Sequence, residues 1–265
     1  MDPYAWAWDI EALLLVPALA IAYALVVQRT PTPRWRIGCF AAGLALILVV
    51  SITPIQTIAL NYLLSIHLLQ NVVLAEWAPA LCVLGVPPAL AAVLGRLPLA
   101  RQLTWPPVAL GVWLAVYFTW HIPFAYDAAL RHQATLLHLE HASYFAAGCL
   151  VWWPVLQSHP RSLSDGGRAA YLFAAFVLAS PLGLLLALIP EPVYSFYEHG
   201  PGLWGLSALT DQQIAGISMA FEQAAVFFAA STFFFLRFLT GEETGEVLRG
   251  LPRPSTAAYN RDRRR

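Results

Sequence analysis

Apolar residues run through this chain in blocks long enough to cross a membrane, separated by short polar stretches. Blocks near residues 10–28, 37–57, 59–84, 106–124, 136–157, 169–189 and 211–238 each approach the roughly 20 residues a spanning helix needs. Pro17, Pro54, Pro79, Pro154 and Pro181 fall within or near the ends of these blocks. Kinks there are tolerable where neighbouring helices or waters satisfy the carbonyls they free. The pattern predicts an all-α, polytopic membrane protein: a seven-transmembrane-helix bundle over residues 1–238, one domain without an internal repeat. Residues 239–265 are polar and rich in Gly, Pro and Arg, and read as a disordered basic tail. Its terminal RDRRR carries the sign that anionic lipid attracts.

Composition sharpens this. The chain is 59% hydrophobic and 11% charged, with a mean hydropathy of +0.62, which excludes an ordinary soluble domain. Its formal net charge of zero gives no reason to expect a nucleic-acid partner. Arginine supplies all the positive charge, and its distribution predicts orientation. Arg29, Arg34 and Arg36, then Arg96 and Arg101, then Arg161 and Arg168, then Arg237 and the tail fall in alternate loops, whereas the other loops hold Arg131 alone. The positive-inside rule therefore places the amino terminus outside and the carboxyl terminus in the cytoplasm, as expected of a multi-pass protein of a bacterial cytoplasmic membrane. Asp2, Asp9 and Glu11 near the start, without a basic n-region, do not read as a cleavable signal peptide.

With that topology drawn, six of the seven histidines fall on the extracytoplasmic side: His67, His121, His132, His138, His141 and His199. Only His159 falls inside. Ionisable residues within a membrane mark functional sites by default, and neutral imidazole is the commonest metal ligand. The three cysteines are scattered without CxxC spacing, and there are two methionines, so neither a disulfide framework nor a thiolate or thioether copper site is expected.

On the third block, His67, Gln70 and Asn71 share one helical face, as i, i+3, i+4 spacing dictates. Interhelical hydrogen bonding accounts for Gln70 and Asn71 as readily as any site does. His121 precedes Ile122-Pro123, a natural helix exit. Beyond it, Asp127 and Arg131 are spaced for an i, i+4 ion pair. His138 and His141 lie one turn apart on one face, the sharpest metal signal in the chain, with Glu140 nearby as an acceptor for a ring N–H. Asp211 reads either as a ligand or as an acceptor for backbone N–H groups at its helix start. Glu76 and Glu222 fall at comparable depth, where each is costly as an ion unless protonated, paired with the other, or facing a wet cavity.

These residues leave three readings open. One is a metal-holding assembly factor rather than an enzyme. A second is a haem protein with two axial histidines, for which Trp77, Trp120, Tyr144 and Trp152 would line the pocket. A third is an intramembrane zinc enzyme with Glu222 or Asp211 as general base. The segments themselves resemble the CtaG family of cytochrome c oxidase assembly membrane proteins, from helix 2 to helix 7. The resemblance rests on His67-x-x-Gln70 followed by APALCVLGVPPAL, on HIPFAYDAALRH, on HLEHASYFAAGCLVWWPVL and on DQQIAGISM. It implies a seven-helix protein supporting copper insertion into the oxidase, particularly at the copper A centre of subunit II, with subunit II or its assembly complex as partner. Carried over by position, it marks His67, His121, Asp127, His138, His141 and Asp211, with His67, His121, His138, His141 and Asp211 as metal ligands. Gln70, Asn71, Glu76, Asp127, Glu140 and Glu222 then support that site or handle protons. Asn71 stands where the family commonly carries a second histidine, and Asn is a poor ligand for copper or zinc.

Overall fold

The computed structural model describes residues 2–250, with side chains through Gly241, and is helical without strands among them. Proline and side-chain caps set many of the boundaries. Asp9 opens α1 (Ile10–Val27) by accepting from Ala12 N. After α2 (Arg34–Ile52), Thr53 caps α3 (Pro54–Asn61), whose first residue is proline. Proline is favoured there because its missing N–H would be unpaired anyway. The same device opens α6 (Pro88–Leu94), α7 (Pro98–Leu103), α8 (Pro106–Trp120) and α9 (Pro123–Arg131). Between α3 and α6 lie α4 (Leu64–Val72) and α5 (Ala78–Gly85), joined by a π turn over Val73–Trp77. A second π turn, Gln133–Leu137, leads into α10 (His138–Leu156). Then come α11 (Asp165–Leu188), the single turn α12 (Ser195–Glu198) and α13 (Ala208–Gln223). A third π turn, Ala224–Phe228, continues α13 into α14 (Ala229–Gly250).

All seven predicted blocks are helical, but they are not seven alike. Five stretches are long and apolar enough to cross a membrane: Ile10–Val27, Arg34–Ile52, Leu64–Gly85, Asp165–Leu188 and Ala208–Gly241. A sixth arises if α8 and α9, bent by 72° at the His121-Ile122-Pro123 exit, count as one broken span. The block expected at 136–157 becomes α10, which has the length but carries His138, Glu140 and His141 in its first turn. The third block, expected from residue 59, is interrupted at Tyr62–Leu63, so α4 starts afresh at Leu64. At the other end, α14 runs past the boundary expected at residue 238 to Gly250. The rest of the predicted tail, with RDRRR, lies outside the described residues.

Leu64–Gly85 is the hub of the bundle, 72% buried. Against it pack α13, α2 and α10. Close approach is made by small residues, as expected where dispersion rather than water drives helix association. A Cβ on Gly148 of α10 would sit 2.1 Å from the Ala75 carbonyl oxygen, and one on Gly216 would sit 2.5 Å from that of Gly183. An aromatic core packs around Trp113, Tyr117, Trp152 and Phe227.

Candidate functional site

The interruption before α4 is held open by a residue far away in sequence. Asp211, in the first turn of α13, accepts from Leu64 N at 2.6 Å, from Ser65 N at 3.2 Å and from Ser65 Oγ at 2.5 Å. It therefore caps α4 across the bundle, supplying an acceptor for amides that a helix start leaves unpaired. Both its oxygens are engaged there. Through this cap it positions His67 in the first turn of α4.

His67 is fully buried, and two tyrosines from different elements meet its Nδ1. The hydroxyls of Tyr197 on α12 and Tyr126 on α9 each lie 3.0 Å from that nitrogen. Tyr197 donates its single proton to the Ala59 carbonyl at 2.6 Å. Burial holds the Tyr197 phenol well above its usual range, so that proton stays in place. Toward His67 the Tyr197 oxygen is then an acceptor, which asks for a hydrogen on Nδ1, whereas the Tyr126 hydroxyl donates to the same nitrogen only in the other tautomer. A neutral imidazole with its proton on Nδ1 has a bare lone pair on Nε2. His67 Nε2 is buried and has no hydrogen-bond partner.

His121 repeats the arrangement. Its Nδ1 lies 2.8 Å from the Tyr117 carbonyl, which can only accept, so here Nδ1 carries the hydrogen. Its Nε2 is likewise buried and unpartnered. Anchoring one ring nitrogen on a carbonyl while the other stays free is how proteins orient metal-binding histidines. The Tyr126 ring stands between the two, with centroids 5.1 Å from His67 and 6.1 Å from His121.

The His141 ring lies near that of His67, centroids 6.1 Å apart and nearly perpendicular, and its Nε2 too is buried without a partner. His138 goes elsewhere: its Nδ1 lies 2.9 Å from Glu11 Oε2 at a cleft beside α1. The structure thus brings His67 and His141 together, sets His121 behind Tyr126, and directs His138 and Asp211 to other partners. Among the described residues, no three His, Cys, Asp or Glu side chains gather as a ready-made metal group.

The remaining polar residues are interhelical hydrogen bonds, as one of their two readings expects. Gln70 donates to the Val50 carbonyl at 3.0 Å and to Gln56 Oε1. Asn71 donates to Glu140 Oε1 at 3.0 Å, both residues being buried. Asp127 pairs with Arg131 at 3.7 Å and also accepts from Ser195 Oγ and Phe196 N, pinning the start of α12, which carries Tyr197. Deeper in, Glu76 hydrogen-bonds Glu222, and Trp77 Nε1 donates to Glu222 Oε1 at 2.6 Å. A hydrogen bond between two carboxyl groups needs one proton between them. Pairing is thus how these two groups tolerate their depth. His132 is exposed and bonds only its own helix.

Two groups can be tested against this geometry. Two metal–nitrogen bonds of about 2 Å each, plus the ring radii, span roughly 6 Å, so the His67–His141 spacing suits one ion held by two imidazoles. The four-ligand sphere of zinc finds too few donors. The small cavity beside His121, bordered by Asn71, Glu76 and Tyr144, measures about 10 Å³, room for about one water. Sequence reasoning missed Tyr126, Tyr197 and Ser65. No local pattern marks these tyrosines, and only their meeting with a buried histidine distinguishes them.

Comparison with known proteins agrees with the resemblance. The chain is 25% identical to uncharacterized proteins of Mycobacterium bovis and Mycobacterium tuberculosis, over 80% of its own length and 36% of theirs. It therefore spans about a third of the length of the curated relatives it matches. No solved structure matches it. A sequence profile of the cytochrome c oxidase caa3 assembly factors (Caa3_CtaG) matches residues 20–240, most of the chain, and the protein belongs to that family.

Proposed function

We propose that this protein serves assembly of a caa3-type cytochrome c oxidase by holding copper as cargo between His67 and His141, on the extracytoplasmic side of a seven-span bundle. The observation that supports this reading is the set of buried Nε2 atoms without a hydrogen-bond partner on His67, His121 and His141. Leaving a buried polar atom unpaired costs roughly 1–3 kcal/mol, a penalty a metal ion removes. A cuprous ion, closed-shell and content with two ligands, needs no third donor, and imidazole suits copper. His121, beyond Tyr126, is the nearest further imidazole and would serve in release. The recipient is an oxidase subunit whose copper centre faces the same side, subunit II by its chemistry. The role requires binding and hand-over, not bond-making.

Copper measured by elemental analysis on protein loaded under reducing conditions tests it. The wild type should bind about one copper per chain, and His67→Ala or His141→Ala should lose it, whereas His132→Ala and His159→Ala should not. Equal copper in all five proteins would overturn the reading. The orientation is tested separately by a reporter fused after Arg265, which should be active only in the cytoplasm.

A further inference from the structure

The small cavity beside His121 lies where α4, α8, α10 and α13 meet, with Leu68 and Met219 among its apolar walls. Its volume of about 10 Å³ is near the least that holds a water. Three residues around it each carry a buried polar atom with no hydrogen-bond partner: Asn71 Oδ1, Glu76 Oε2 and His121 Nε2. None of the three residues is more than 6% exposed, so bulk solvent does not meet these needs. A buried water typically bonds two to four otherwise unsatisfied polar groups. Size and polarity here both match that requirement.

The partners these residues already have decide which way each hydrogen points. Asn71 gives an amide N–H to Glu140 Oε1 at 3.0 Å, so its Oδ1 is left to accept. His121 turns its Nδ1 hydrogen to the Tyr117 carbonyl, so Nε2 of the neutral ring is left to accept as well. A water has two hydrogens, and these two acceptors use both. Its oxygen then presents a lone pair to Glu76 Oε2, which can meet it only as a protonated carboxyl. The hydrogen bond between Glu76 and Glu222 takes a further proton, so both carboxyl groups are neutral. Neutrality is also the state in which a carboxyl is cheapest to bury inside a membrane.

We propose that this cavity binds one water, which joins Asn71, Glu76 and His121 and serves as the proton-exchange partner of the Glu76–Glu222 pair. The exchange is balanced: the O–H bond on Glu76 breaks as one forms on the water, and the water returns a different hydrogen to the carboxyl, with no net charge moved. The pair is otherwise closed in. Trp77 Nε1 covers Glu222 Oε1 at 2.6 Å, and Gln223 Nε2 occupies the neighbouring Tyr117 hydroxyl oxygen at 2.8 Å. The inference is independent of the copper reading, because neither His67 nor His141 borders the cavity.

Infrared spectroscopy of the full chain transferred into heavy water reads this exchange, because the C=O stretch of a neutral carboxyl falls in frequency when deuterium replaces its hydrogen. The wild type should show such a band, and Glu76→Gln should remove the part that belongs to Glu76. His121→Phe keeps a ring in place but removes one acceptor, and should slow the exchange by about tenfold, the scale of one buried hydrogen bond. Exchange at the wild-type rate in His121→Phe would overturn the proposal. So would a wild type lacking any neutral carboxyl band that responds to Glu76→Gln, since the hydrogen count would then fail. Should His121→Phe not fold, a wild-type structure fine enough to order buried solvent decides the matter. Water density within about 3.2 Å of Asn71 Oδ1, Glu76 Oε2 and His121 Nε2 supports the proposal, and a dry cavity overturns it.

Discussion

The two spans that meet at the cleft beside α1 could hardly differ more. α1 is the more apolar and only 6% buried, whereas Leu64–Gly85 is the less apolar and 72% buried. In water this order would be reversed, because burial follows hydrophobicity. In a bilayer the most apolar helix is spent on lipid, and the interior goes to the helix whose polar groups can be mutually satisfied. Leu64–Gly85 carries His67, Gln70, Asn71 and Glu76, each matched to a partner from another element. α1 makes its polar contacts near its two ends, Glu11 with His138 and Tyr23 with the Gly85 carbonyl.

If that contrast is right, substitutions should sort by which span they touch. The largest loss is expected where the hub meets its neighbour most closely. Gly148→Ala drives a Cβ to within 2.1 Å of the Ala75 oxygen and should cost about 3 kcal/mol, read as a lowered unfolding midpoint in detergent. Next comes Asp211→Ala, which orphans the amides of Leu64 and Ser65. A loss of about 2 kcal/mol is expected, and copper occupancy should fall with it as the first turn of α4 releases His67. Retained occupancy in that variant would show that His67 does not depend on the cap. Asn71→Ala, by leaving Glu140 without its donor, should cost about 1.5 kcal/mol and spare copper affinity, since Asn71 faces Glu140 and not the His67 ring. At the far end, Leu14→Ala on α1, 67% exposed, should shift stability by less than about 0.5 kcal/mol. A larger effect there would mean that α1 packs against a partner rather than lipid.

Much of this organisation was legible in the residues. Blocks of apolar residues locate the helices, and the exit expected at His121-Ile122-Pro123 is where α8 ends. The i, i+4 spacing of Asp127 and Arg131 yields a real ion pair, and the depth of Glu76 and Glu222 anticipates their pairing. What sequence spacing could not supply is anything that depends on another element. Asp211 reads naturally as an acceptor for its own helix start, yet the amides it serves belong to α4, 146 and 147 residues away. His138 and His141 share a helical face, yet Glu11 draws one aside while the other lies near His67. The π turns leave no local signature in composition, so the expected continuous third span conceals both its interruption and its change of pitch.

That change of pitch has a mechanical consequence. In a regular helix, adjacent side chains diverge by about 100°, so Glu76 and Trp77 would address different neighbours. The wider turn at Val73–Trp77 lets both meet Glu222. It also separates the phase of the outer half, which carries the imidazole, from that of the inner half, which is wedged against α2 at Gly85. The turn is a torsional joint within a single rod. Removing one residue from it would restore an ordinary helix of unchanged character and swing His67 away from His141, leaving the polypeptide's apolar content and its seat in the bilayer as they were.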